Sequence, residues 1–122
     1  KTGVSLMKIE EKLDSGPVLS SKELILNPNL TFGEIEQELS IMGAKLLIDN
    51  LESIENGSAN YIEQIHEHSS YAKKINKNEA KINWNMDADK VVSQIHGLNP
   101  RPGAWFEYEK KRFKVLSVRK KT

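Results

Sequence analysis

Asp14 is the carboxylate whose setting best suits chemistry. It ends the run Glu10-Glu11-Lys12-Leu13-Asp14 and is followed by Ser15-Gly16-Pro17. Short apolar stretches flank this loop, over residues 4–9 and 18–26, and each reads as a strand. A loop held between two strands can place a carboxylate firmly enough to move a proton or orient a base. An Asp in a loop also forms turns, because its side chain bonds to its own backbone. The loop alone is compatible with both readings. His66 and His68, two residues apart, would suit a metal ion if they lay on a strand. No third ligand has a matching spacing, so no metal is expected.

The positively charged residues are the second group with chemical meaning. The net charge of the 122 residues is +1, but it is divided unevenly. Residues 1–70 carry five Lys and no Arg against twelve acids, a net of −7. Residues 71–122 carry ten Lys and three Arg against five acids, a net of +8. Such a division suggests two modules, the second facing a polyanion. A solvated basic surface explains the same residues without a ligand. With no cysteine there is no disulfide framework and no thiolate metal site. A reducing compartment, the cytoplasm, is the expected location. No apolar run approaches membrane-spanning length, so no membrane partner is expected. The chain opens on Lys1 with strand-like residues from Val4, which reads as a start inside a fold.

The elements that position these residues follow from periodicity and punctuation. Asn27-Pro28-Asn29 breaks the second strand. Thr31 precedes Glu34 by three residues, a capping box. Ile35, Leu39, Met42, Leu46, Leu47, Leu51 and Ile54 then recur every three to four residues. They predict one helix over 32–55 with a single buried stripe, closed by Asn56-Gly57. Residues 58–70 are polar and mixed, and read as a linker with a short extended piece. The second module opens at Ser70-Tyr71, with a short extended piece at Ile82-Asn83-Trp84. Asp87 is placed to cap a helix whose inner face is Val91, Val92 and Ile95 and which ends near His96-Gly97. Asn99-Pro100-Arg101-Pro102-Gly103 forms a rigid turn. Residues 104–108 and 112–118 alternate as hairpin arms around Glu109-Lys110-Lys111, with Trp105, Tyr108 and Phe113 packing the sheet. A hairpin alone is marginal, so this module reads as continuing past Thr122.

The ordered set of motifs resembles the methionyl-tRNA formyltransferase family, over the middle and later part of its members. The shared residues are Thr2-Gly3-Val4 leading to Met7, then Leu13-Asp14-Ser15-Gly16-Pro17-Val18-Leu19. Tyr71-Ala72-Lys73-Lys74-Ile75, Glu79-Ala80-Lys81-Ile82-Asn83-Trp84 and Asn99-Pro100-Arg101-Pro102-Gly103-Ala104-Trp105 follow in order. The first motif is common to enzymes that use 10-formyltetrahydrofolate through this fold. The later ones narrow the resemblance to members with an appended C-terminal domain.

The resemblance implies an α/β fold class. Residues 1–57 would be the last strands and helix of a Rossmann-like formyltransferase domain, and residues 58–70 a linker. Residues 71–122 would be the first part of an open β-barrel, oligonucleotide-binding-like C-terminal domain. The implied activity is formyl transfer from 10-formyltetrahydrofolate to the amino group of methionyl initiator tRNA, by an enzyme monomeric when intact. The family's catalytic group is an Asn, a His and an Asp. Asp14 matches the Asp, and neither His66, His68 nor His96 matches the His. This stretch by itself is therefore expected to be inactive. A buried Asp beside the His would orient it and favour its cationic, oxyanion-stabilising form. Glu10, Glu11, Lys12, Leu13 and Asp14 would border the pterin ring through backbone groups. Lys73, Lys74, Lys77, Arg101, Lys110, Lys111, Arg112, Arg119, Lys120 and Lys121 would meet tRNA phosphates. The alternatives are an RNA-binding module only, or a related 10-formyltetrahydrofolate enzyme that acts on a sugar nucleotide or hydrolyses the formyl group.

Overall fold

The computed structural model describes residues 1–121. Thr122, where the second module was expected to continue, lies outside the described residues. The chain forms two compact units, one of residues 1–26 and 37–72, the other of residues 27–36 and 73–122. Each has one two-stranded antiparallel sheet, so the α/β character expected from the sequence is present.

In the first unit, β1 (Thr2–Met7) pairs with β2 (Val18–Leu24) from Thr2↔Leu24 to Leu6↔Ser20. The register then shifts, and Met7 faces Val18. Thr2, Val4 and Leu6 are half-buried while Gly3 and Ser5 are exposed, the period of two that gives a strand one covered face. Ser5 and Ser21 join hydroxyls across the ladder at 2.9 Å. Residues 37–55 of α1 (Phe32–Glu55) belong to this unit. A Cβ at Gly43 would sit 3.9 Å from Val4 Cγ1, so the helix approaches the sheet at a residue with no side chain. Gly57, at φ +76°, ends the helix in the left-handed region that only Gly enters freely.

The helix bounds match the expected ones, but the single buried stripe does not survive. Leu46 is buried, and Ile35, Leu39 and Met42 are half-buried. Leu47, Leu51 and Ile54 are exposed. Spacing decides which residues share a face; it does not supply the surface that covers it.

The segment 58–70, read as a linker, packs within the first unit. Val18 and Ile62 exchange both backbone hydrogen bonds at 2.8 Å, which lays Ile62 beside β2. His66–His68 form a single 3₁₀ turn and not a strand.

The second unit is built around α2 (Ala88–Gly97) and the hairpin of β3 (Ala104–Tyr108) and β4 (Lys111–Val115). Ala80, Ile82, Val91, Ile95, Leu98, Ala104 and Trp105 are its core, with Phe106, Val115 and Val118 packed against them. Ile82 and Trp105 meet through backbone hydrogen bonds, Ile82 N–H to Trp105 O at 2.7 Å and Trp105 N–H to Ala80 O at 2.9 Å. Gly103, at φ +86°, donates to Leu98 O and closes the Pro100–Pro102 turn, whose two X-Pro bonds are cis. His96 is buried, with Nδ1 3.4 Å from Pro28 O and Nε2 accepting from Val118 N–H at 3.4 Å. It ties the 27–36 segment and the chain after β4 to α2.

Four expectations are corrected in this unit. Asp87 occupies the N-cap position of α2 without a side-chain cap bond, its carboxylate lying 3.8 Å from Lys90 Nζ. Val92 is half-buried, not fully inside. β4 runs Lys111–Val115 and not 112–118, because the turn is the two residues Glu109 and Lys110, at φ 47° and 61°, and pairing with β3 ends at Ala104↔Val115. Tyr108 is exposed, and Phe106 joins the core with Trp105, while Phe113 packs the sheet as expected by stacking on Phe106 at 5.5 Å.

The capping box forms as expected. Glu34 Oε2 accepts from Thr31 N–H and from its hydroxyl, each at 2.7 Å. The backbone donor, then the hydroxyl, hold the Glu34 carboxyl below its ordinary value of 4.5. A depressed carboxylate contributes stability above its unfolded value and loses it as pH falls through the folded one. Thr31→Ala is expected to lower the thermal midpoint at neutral pH by roughly 4 °C. That difference should shrink as pH falls below 4.5 and through the lowered folded value, where the partnered Glu34 also takes up its proton. A deficit that is constant from neutral to acid pH would remove Glu34 from the explanation.

Candidate functional site

The loop between β1 and β2 turns tightly around Gly16. A Cβ there would collide with the carbonyl of Lys8, so only Gly lets the two ends of the loop approach this closely. Lys8 N–H donates to Pro17 O at 3.0 Å and shuts the base of the loop. The Ser15 hydroxyl donates to Lys12 O at 2.7 Å. Gly16 and Pro17 are buried, and residues 8–14 stand out into solvent.

Asp14 sits at φ +55°, a left-handed conformation that Asp tolerates better than most residues. Its carboxylate is exposed, and among the described residues it makes no hydrogen bond or ion pair. The burial implied by the family resemblance is therefore not found within this chain. The backbone, by contrast, is held. Gln64 Nε2 donates to Asp14 O at 3.0 Å and to Gly16 O at 2.6 Å. Both partners are carbonyl oxygens, so the amide can face them only through its NH₂ group.

Beside the loop is an open cavity of about 1110 Å³, walled by Leu13, Asp14, Ser20, Gln64, His68 and Tyr71 among others. Glu10, Glu11, Lys12 and Leu13 are exposed on the loop, and Leu13 is 84% exposed. Among the described residues, no backbone N–H from Ile9 to Asp14 has a backbone partner. The loop thus offers free amide donors together with exposed apolar side chains. His66 and His68 are exposed, and among the described residues no three of His, Cys, Asp or Glu are grouped to hold a metal ion.

The basic residues singled out above are all exposed, as phosphate contacts would require. The structure gathers only some of them. Arg112 lies over the Trp105 ring, 3.9 Å from its centroid, and Lys81 Nζ lies 5.4 Å from the same centroid. Trp105 Nε1–H donates to Lys77 O at 2.9 Å. The charged groups of Lys81 and Arg112 are thereby brought to one aromatic, which Lys77 touches through its backbone carbonyl. Lys120 is paired, its Nζ 2.9 Å and 3.0 Å from the two oxygens of Asp89. Lys110 and Lys111 lie at the hairpin tip, and Arg101 lies in the proline turn. Lys73, Lys74, Arg119 and Lys121 lie on irregular backbone.

Two residues of this site were absent from the sequence expectations. Lys81 could have been found from its place beside buried Ile82. Gln64 carries no local signal, because its partners are 48 and 50 residues away.

Among the described residues, no helix is long and apolar enough to cross a membrane. Residues 74–122 match the family model described as formyl transferase, C-terminal domain. The chain is 42% identical over 109 residues to a methionyl-tRNA formyltransferase of Brucella ovis, covering 89% of this chain. It spans 36% of that relative's length. Among solved structures it is similar to a methionyl-tRNA formyltransferase from Clostridium thermocellum, at TM-score 0.68 and 20% identity. That match covers 93% of this chain and 48% of the other. It is also similar to an N-formyltransferase from Helicobacter canadensis in complex with folinic acid and dTDP-3-aminofucose. There the TM-score is 0.77 at 23% identity, covering 93% of this chain and 42% of the other.

Proposed function

We propose, because the chain belongs to the formyltransferase family, that it serves formyl transfer from 10-formyltetrahydrofolate to the amino group of methionyl initiator tRNA. The observation that carries this reading is the 42% identity to a methionyl-tRNA formyltransferase across 109 residues. In this reading residues 1–57 close a Rossmann-like formyltransferase domain and residues 58–70 lead onward. Residues 71–122 begin an open-barrel tRNA-binding domain. The likeness to solved structures supports the fold and does not choose between a tRNA and an amino-sugar substrate.

The residues present fit a folate donor. A pterin is a flat ring with amide-like edges, and the loop offers unpartnered N–H groups from Ile9 to Asp14 beside exposed Ile9 and Leu13. Glu10 to Asp14 would hold such a ring through the backbone. The bound donor supplies the formyl group. The Asp14 carboxylate, without a partner among the described residues, accepts a hydrogen bond from an imidazole or a water. Through that bond it orients the group that takes the proton leaving the attacking amine. Ser15 and Gly16 hold the turn that points Asp14 outward.

The complete enzyme, given a labelled 10-formyl donor and charged initiator tRNA, is expected to place the label on the methionyl amine. Label found instead on an amino-sugar nucleotide, or released as formate with the tRNA unmodified, would overturn this assignment.

The basic residues of the second unit bind the tRNA backbone in this reading. Each phosphate contact releases counterions and adds about −0.7 to −0.9 to the log–log salt slope. Changing Lys110, Lys111 and Arg112 together to Gln is expected to weaken tRNA binding and make that slope shallower by about 2. Folate affinity should be unchanged. Unaltered tRNA affinity with an unaltered slope would leave these three residues as solvated surface only.

A further inference from the structure

We infer that Gln64 is a positioning residue for the Asp14 loop, setting the direction in which the carboxylate points. The inference rests on the reading of Asp14 as the acid–base partner and deepens it. Gln64 lies beyond the helix, 50 residues from Asp14, in a stretch that composition alone marks as connecting chain. Its side-chain amide nevertheless spans the loop at its tightest point. One NH₂ group donates to the carbonyls on either side of Ser15, at 3.0 Å to Asp14 and 2.6 Å to Gly16. Each of its two hydrogens has one acceptor, and the sulfur of Met7, 3.9 Å away, is a weaker third contact.

The backbone around Gln64 explains how it reaches the loop. Ile62 exchanges both hydrogen bonds with Val18, the first residue of β2. Two residues later along this extended stretch Gln64 meets the turn that precedes β2. It is half-buried, unlike its exposed neighbours Glu63 and Ile65, so its amide is not a freely rotating surface group.

The loop needs such a restraint. Asp14 is a non-glycine residue in the left-handed region, which persists only where surrounding bonds over-determine it. No other side chain among the described residues bonds the backbone of Asp14 or Gly16. The two bonds fix the Asp14–Ser15 and Gly16–Pro17 peptide planes, and the first of these adjoins the Asp14 Cα and limits rotation of its Cα–Cβ vector. A displacement of about 1 Å in a proton-transfer partner can cost on the order of 100-fold in rate.

The test is a double-mutant cycle in the complete enzyme. Gln64→Met keeps the volume and removes both donors. It is expected to lower kcat about tenfold or more, with the KM for methionyl-tRNA changed less than about threefold and the thermal midpoint little moved. Asp14→Ala alone lowers kcat further. In the Asp14→Ala background, Gln64→Met is expected to have almost no additional effect on kcat, because a residue that acts through Asp14 has nothing left to position. If Gln64→Met does not fold, Gln64→Glu, which keeps the length and turns a carboxylate toward the two carbonyls, carries the same cycle. Wild-type kcat in the Gln64 variant, or effects that multiply in the double variant, would overturn the positioning role while leaving Asp14 catalytic. Wild-type kcat in Asp14→Ala would overturn the reading of Asp14 itself, and the positioning role with it.

Discussion

Asp14→Asn in the complete enzyme is expected to lower turnover about 100-fold or more, with folding and folate affinity nearly unchanged. The separation of these effects comes from where Asp14 sits. Its exposed carboxylate makes no bond among the described residues, so removing the charge breaks none of the bonds seen to hold the fold. Its backbone is left-handed at φ +55°, a conformation that Asn accepts at least as readily as Asp. The carbonyl bonded by Gln64 is untouched by the substitution. What changes is the group offered to a neighbouring imidazole or water. An amide can present its NH₂ where an acceptor is needed, which selects the wrong tautomer or tips the partner away. Steady-state kinetics, with an unfolding curve on the same preparation, check this. Unchanged turnover would leave Asp14 as a turn former.

Ile95→Ala is expected to destabilise the second unit by about 3 kcal/mol, the largest stability effect foreseen for a single side chain here. Ile95 is 0% exposed and is the largest fully buried side chain among the described residues. Its neighbours in the core are held by backbone bonds, since Ile82 and Trp105 are joined through Ile82 N–H to Trp105 O. They cannot readily close over the missing atoms, so a cavity term adds to the lost burial. Val92→Ala, on the half-buried side of the same helix, should cost clearly less. Urea unfolding of both variants separates the cases. Equal midpoints for the two would show that the core relaxes around position 95.

Much of the local structure was legible in the residues. The bounds of α1 followed from Thr31, Glu34 and Gly57, whose effects reach only three or four positions along the chain. The strands on either side of the Asp14 loop followed from short apolar stretches and the Gly16-Pro17 break, although they were expected over 4–9 and 18–26 and run Thr2–Met7 and Val18–Leu24. The hairpin was found, but its second strand starts one residue earlier and ends three residues earlier than expected. Its turn is Glu109-Lys110, and neither residue type advertises the left-handed backbone that both adopt. The candidate site was legible at Asp14 because a motif of neighbouring residues marks it. The basic residues were legible as a charge imbalance, though not the pairing of Lys120 with Asp89 or the stacking of Arg112 on Trp105.

By itself, then, the sequence determined the main elements, the capping box of α1 and the loop that carries Asp14, because those depend on backbone preferences and short-range bonds. Tertiary structure alone decided which apolar residues are covered. Leu46 is buried and Leu51 exposed on the same helix, since burial depends on what packs against a face and not on its spacing. It alone brought residues 27–36 into the unit formed by residues 73–122, through Gly33 N–H to Asn99 O and the contact of Pro28 with His96. It alone set Gln64 against the carbonyls of Asp14 and Gly16. A hydrogen bond closed across about fifty residues has no local cause, because its partners become neighbours only when the strand, helix and returning chain have packed.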